Sequence, residues 1–248
     1  MLFRSRQQLI QASRDEGLQV VAEGGALFGQ DINIIADGNS TLEHNIPQLA
    51  LYEDVLSYFG QSKTSYTPTL VVTFGGLTGD NYWRSHTDVF AQPILKAFIP
   101  PAQLAADNTR RAIAPEDNYA DDDNAREARK LAKRGVLVSI GAHGQQAGIG
   151  PHWELWSFVR GGMSPIEALA AGTIVPARSL GMDADIGSLE PGKLADLVIL
   201  DADPTVDIRN SEKVSRVMVG GRLYDSMTLN EVVTGDRKRA PWWWEKSK

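Results

Sequence analysis

Residues 18–76 read LQVVAEGGALFGQDINIIADGNSTLEHNIPQLALYEDVLSYFGQSKTSYTPTLVVTFGG, and their rhythm decides the fold. LQVVAEGG (18–25) is a short apolar run closed by two glycines, which predicts a buried strand. A second short strand ends near His44 within ADGNSTLEHNIP (36–47). The stretch from Ile46 to Lys63 then spaces Leu49, Leu51, Val55, Leu56 and Phe59 as a helix face does. SYTPTLVVTFGG (65–76) supplies a third strand. Upstream, residues 4–16 carry Leu9, Ile10 and Ala12 among polar residues, and Gly17 follows as a stop, so a helix precedes the first strand.

The same alternation continues downstream. A long Gly-, Asp- and Pro-rich stretch is expected to be a loop. DDDNAREARKLAKRG (121–135) then begins with acids and ends with bases, as a helix macrodipole favours. VLVSIGAHG (136–144) predicts a fourth strand, and HWELWSFVRGG (152–162) and SPIEALAAGTIVPARSLG (164–181) predict two more helices. Strands separated by helices, with nearly all-apolar interiors, indicate a parallel sheet covered on both faces. Four such strands make half of a (β/α)₈ barrel.

After Gly181 the period changes to two. LADLVIL (194–200) and KVSRVMVGGRLYD (213–225) read as strands with a Gly-Gly turn, a small partial β-sandwich. The expected organisation is an α/β half barrel over 1–181, the β segment over 182–226 and a tail over 227–248. The tail places Trp242, Trp243 and Trp244 beside Pro241, side chains that are costly to leave in water and are expected to dock on this chain or another.

Composition excludes several classes. With 25 basic against 31 acidic residues, the formal charge is −6 and the basic residues are scattered, unlike the concentrated patch of a nucleic-acid binder. The absence of cysteine removes disulfides, thiolate metal sites and a Cys nucleophile. No apolar run reaches the roughly 18 residues of a membrane span. The first residues read as a helix rather than a signal peptide, so the expected compartment is the cytoplasm. Gly187–Lys193 imitates a phosphate-binding loop, but Leu194 stands where Ser or Thr should and a strand follows. No G-x-S-x-G elbow occurs.

The segment from Ser164 to Asp225 carries G-S-L-E-P-G-K-x-A-D-L-V-I-L and then V-G-G-R-x-Y, and it resembles the C-terminal signature of the amidohydrolase superfamily, in its imidazolonepropionase-like, TolB-associated branch. VVAEGG, LEHNIP and GAHGQQ followed by HWELW resemble the same branch's later barrel strands. The resemblance implies the C-terminal half of the barrel, and it implies hydrolysis by a metal-activated water at the C-terminal ends of the strands. No His-x-His pair of the first strand and no convincing fourth-strand lysine occurs in this sequence. Carried over by position, strand five ends at Glu23 where a His is usual. Strand six ends at His44, and strand eight at His143 where an Asp is usual.

These three are the candidate catalytic residues and the tentative metal ligands. His44 ends a strand before a helix-opening Pro47, as a metal ligand or as a cap of the following helix. Glu23 enters Gly24 and Gly25, as a ligand or general base at the barrel mouth, or as a loop cap. His143 is flanked by glycines that let the backbone come close to a ligand, and the resemblance implies that its position holds the base that takes a proton from the metal-bound water, or a ligand. Tyr82, Trp83 and His86 lie in the expected long loop as candidate substrate contacts from residues 75–114, with a surface role as the alternative. His152 and Trp156 share one helix face and read as packing.

The expected function is hydrolysis of an amide, cyclic amide or ester of a small-molecule substrate by an activated water. A divalent, zinc-like metal is expected to bind weakly or not at all, because the first-strand ligands are missing. Two rival readings are a non-catalytic or assembly-dependent half barrel, and a metal-independent esterase using general base catalysis. Open sheet edges and an uncovered apolar face predict association, as a homodimer or with a chain carrying the missing half, with the tryptophans at the junction.

Overall fold

A computed structural model describes residues 3–109 and 112–245. Helix α1 (Phe3–Asp15) leads into β1 (Val21–Glu23), α2 (Phe28–Asp37), β2 (Thr41–Glu43), α3 (Glu53–Gln61) and β3 (Ser65–Thr67). The three strands pair in parallel in chain order, with Ala22 beside Leu42 and Leu42 beside Tyr66. The predicted fourth strand survives as one parallel bridge, Tyr66 to Val138, in which Tyr66 N donates to Leu137 O (2.9 Å) and Ser139 N to Tyr66 O (2.9 Å). The chain is an α/β fold.

Side chains alternate across a strand, so Ala22, Leu42, Tyr66 and Val138 lie on one face. That face packs into a core with Ile34, Ile35, Phe59 and Leu131 from the helices. The opposite face carries Val21, Glu23, Thr41, Glu43, Ser65 and Thr67. The expectation of an apolar uncovered face is therefore corrected: it is mostly polar, because only the helix-covered side needs apolar residues. The expected burial of the first strand is corrected too, since Val21 is 58% exposed at the sheet edge.

The expected loop over 75–114 is also corrected. It folds as α4 (Gly79–His86), α5 (Pro93–Phe98) and α6 (Pro101–Asn108). Proline at the first turn of α5 and α6, and a Gln92 side chain accepting from Ile94 N, start helices too short for a periodic signal. Helices α7 (Asp121–Lys133) and α8 (Gly150–Arg160) follow. The expected single helix over 164–181 breaks at Gly172 into α9 (Pro165–Ala171) and α10 (Ile174–Ser179), and Ser164 and Glu167 form a capping box at its start.

The second sheet is antiparallel, in the order β4 (Leu197–Leu200), β5 (Val214–Val219) and β6 (Arg222–Asp225). Gly220 and Gly221 turn β5 into β6 with φ of 56° and 77°, a two-residue hairpin that L side chains resist. The tail returns to this sheet, because Glu231 bridges Tyr224 and Val232 N donates to Leu223 O (2.9 Å). Trp156 Nε1 donates to Ile208 O (3.1 Å) and Ser211 Oγ (3.0 Å), fastening the β unit to α8.

Gly24, at the exit of β1, sits where an added Cβ would stand 2.8 Å from Glu43 O. Gly24→Ala should therefore cost about 1–3 kcal/mol, the range for overpacking. Urea denaturation checks this, and an unchanged midpoint would show that the two strand exits are not in close contact.

Candidate active site at the strand exits

Each of the four parallel segments leaves the sheet through a non-glycine residue of positive φ: Ala26 (54°), His44 (69°), Thr69 (52°) and His143 (49°). Such conformations are uncommon and cost energy, and they cluster where a site requires a fixed geometry. Two of the four are the candidate histidines.

The structure brings Glu23, His44 and His143 together. Glu23 Oε1 lies 3.4 Å from His44 Nε2. The His44 and His143 rings stand 5.1 Å apart, edge to face, and Phe74 closes on His44 at 5.8 Å. His44 is nearly buried, whereas the Glu23 side chain is 77% exposed. His143 is open to solvent and its Nδ1 lies 2.9 Å from Gln145 Oε1. His44 Nδ1 is buried without a hydrogen-bond partner.

Two acids beneath this rim were not legible in the sequence. Asp31 of α2 is fully buried; its Oδ1 accepts from Gly25 N (3.0 Å) and its Oδ2 has no partner. Burial raises its pKa, opposed by the hydrogen bond from Gly25 and the charge of His44. Glu154 of α8 is also fully buried. It accepts from Val71 N (2.6 Å) on one oxygen and Gly141 N (3.1 Å) on the other, and from the N–H of Leu70, so it ties the exit of β3 to the loop bearing His143. Burial pushes its pKa up to about 8.

The remaining candidates lie elsewhere. Trp83 is buried and donates to Ser157 Oγ (2.8 Å), which in turn donates to Asp121 Oδ2 (3.0 Å). The expectation of a substrate contact there is corrected, because its ring pins α4 to α8. Tyr82 stacks on His86 at 4.0 Å under the Arg160 guanidinium, and His86 Nε2 lies 3.0 Å from Glu116 Oε1. His152 is half-buried, its Nδ1 3.1 Å from Ser211 Oγ, and burial holds its pKa down to about 4.

A family model described as the amidohydrolase family matches residues 89–224, more than half of the chain. The chain belongs to the amidohydrolase family. An imidazolonepropionase of Symbiobacterium thermophilum is 41% identical over 78 residues, which are 29% of this chain and 18% of that protein. A putative prolidase from Bifidobacterium longum superposes with a TM-score of 0.62 at 25% identity, over 97% of this chain and 53% of that one. The ochratoxinase of A. niger superposes with a TM-score of 0.62 at 21% identity, over 97% and 49%. The chain thus spans about half the length of these solved structures, and less of the curated relative.

Members of the family typically depend on a metal. His and Glu are suitable donors for a zinc-like ion. Among the described residues, however, no three His, Asp or Glu side chains form a group that could hold one. The described residues do not fit a closed metal centre. No helix among the described residues is long and apolar enough to cross a membrane.

Glu154 makes a pH signature. Its folded-state pKa of about 8 exceeds the usual 4.5, so between these values the folded state holds a proton that the unfolded state has lost. Its contribution must therefore weaken as pH rises from 4.5 to 8. Glu154→Gln should abolish that component, which is measured as the wild-type minus variant difference in urea stability across pH 5–9. A pH-independent difference would contradict a buried, proton-holding carboxyl.

Proposed function

We propose that this chain forms the later half of an amidohydrolase (β/α)₈ barrel. In this reading it contributes to the hydrolysis of an amide, cyclic amide or ester by an activated water. The observation that carries it is the contact of Glu23 with His44 at the strand exits, with His143 beside them. TIM-barrel chemistry is placed at that end of the sheet.

The three side chains divide the work by exposure. The solvent-facing Glu23 carboxylate accepts a proton from water as it attacks the carbonyl. His44, nearly buried and 3.4 Å from it, fixes the carboxylate in place. His143, held by Gln145 and acting as imidazolium, gives a proton to the leaving group, and the proton taken up by Glu23 passes back to the imidazole through solvent to restore both groups. General base assistance of this kind is worth about 10²- to 10⁴-fold. A divalent metal, if it takes part, needs donors beyond those gathered here.

His44→Asn keeps a residue that tolerates positive φ and removes the imidazole. It should leave the fold intact and lower kcat/KM on a panel of amides, cyclic amides and esters by about 10²-fold or more. Turnover unaffected by the substitution would overturn the reading. Assayed with and without chelator, the same panel separates a metal-assisted reaction from a metal-independent esterase.

A second reading, that the half barrel works only in an assembly, is favoured by the free edge of β1, where Val21 stands exposed. Unpaired strand edges are templates for association. The proposed partner is a second copy, or a chain carrying the earlier strands. Light scattering at micromolar concentration should give a mass above that of one chain, and a single-chain mass would contradict self-pairing.

A further inference from the structure

The C-terminal tail carries three adjacent indoles, and the structure gathers them beside the loop that follows His143. Arg239 makes a two-pronged contact with Glu245, Nη1 to Oε2 and Nη2 to Oε1, each at 2.9 Å, and its guanidinium lies 5.0 Å over the Trp242 ring. Trp242 N donates to the same carboxylate (2.6 Å). The Trp242 and Trp244 rings stack at 5.2 Å and 7°, and Trp243 meets Trp244 edge to face at 5.5 Å. Trp242 also reaches Phe98 at the end of α5, at 6.4 Å.

This cluster forms one side of a cavity of about 250 Å³. Trp243 and Trp244 face it from the tail, Phe98 and Gln103 from α5 and α6, and Gln145 and Gln146 from the loop after His143. That loop is fixed from behind, since Arg84 Nη2 donates to Gln145 O (2.9 Å) and Asn108 Nδ2 to Gln146 Oε1 (3.3 Å). Gln145 is also the residue whose side chain meets the His143 ring. Trp243 nevertheless remains 71% exposed, an indole held in water by a preorganised tail. Among the described residues, the one ionisable side chain on the wall is Asp107.

Aromatic walls, flanking carboxamides and a single negative charge define a ligand chemistry. We propose that this cavity is a substrate-recognition pocket for an uncharged aromatic ring carrying an amide. The ring seats against Trp243 and Trp244, and the amide is directed along the Gln145 wall toward His143. A cavity of about 150 Å³ accommodates benzene in other proteins, so this one has room for a single ring with its carboxamide. Offset or edge-to-face packing on the indoles supplies the preference for a ring. The Asp107 carboxylate repels an aromatic acid. The proposal rests on the hydrolytic reading for its meaning as a substrate site, but its test reads binding alone.

Benzamide, benzoate and acetamide are titrated into the full chain while the indole N–H and imidazole C–H signals are followed by NMR. Benzamide should bind at least about 10-fold more tightly than either of the others, and shift His143 together with Trp243 or Trp244. Trp243→Ala, at an exposed position, should weaken benzamide about 5-fold or more without unfolding the protein. Asp107→Asn should narrow the gap between benzamide and benzoate. Equal binding of benzamide and acetamide, benzamide binding unchanged by Trp243→Ala, or indole shifts with His143 unmoved would each overturn the pocket. Benzamide binding without turnover of any amide would leave the pocket standing and remove the hydrolytic reading.

Discussion

The Glu154 carboxyl lies wholly inside the protein, on a helix, and accepts backbone N–H groups from two different strand exits. Buried polar groups are expensive unless satisfied, and orphaned backbone donors equally so. One side chain settles both debts: without it the N–H groups of Val71 and Gly141 lose their partner and the loops after β3 and after residues 136–140 lose their common anchor. The same helix holds Ser157 between Trp83 and Asp121, and through Trp156 holds the β unit. Helix α8 is therefore the part against which the site loops, helix α4 and the second sheet are all referenced.

That anchoring explains how strained exits persist. His44 and His143 adopt left-handed backbone that their side chains disfavour, a cost of order 1–3 kcal/mol each unless the surroundings fix them. His44 is fixed by its N–H donating to Thr67 O (2.8 Å) and by its near burial. His143 is fixed by Glu154 at Gly141 and by Arg84 at Gln145. The two rings meet across the exit of β3, which lies between β2 and the segment that carries His143, because all these strands run in parallel and end at the same rim.

The strand exits were legible in the sequence because each apolar run stops abruptly at a polar residue, as VVA stops at Glu23 and TL at Glu43 and His44. Three features were not. Helices α5 and α6, of 6 and 8 residues, are too short to show a period, and their starting prolines read equally well as loop signals. Glu154 sits among Trp153, Leu155 and Trp156, where local pattern gives no hint that a carboxyl faces inward to meet N–H groups about 13 and 83 residues away in sequence. The tryptophans of the tail declared that they would dock, but only tertiary structure shows Phe98 and the His143 loop beside them.

The central claim is that side chains from separate strand exits act as one catalytic unit, and a double-mutant cycle on kcat/KM tests it most directly. Glu23→Gln and His44→Asn are combined and compared with each single variant on the best amide found. Groups that act together are strongly non-additive, so the double variant should be no slower than the worse single one, within about 3-fold. Losses that multiply would mean that Glu23 and His44 act independently, and the 3.4 Å contact between them would then carry no joint chemistry.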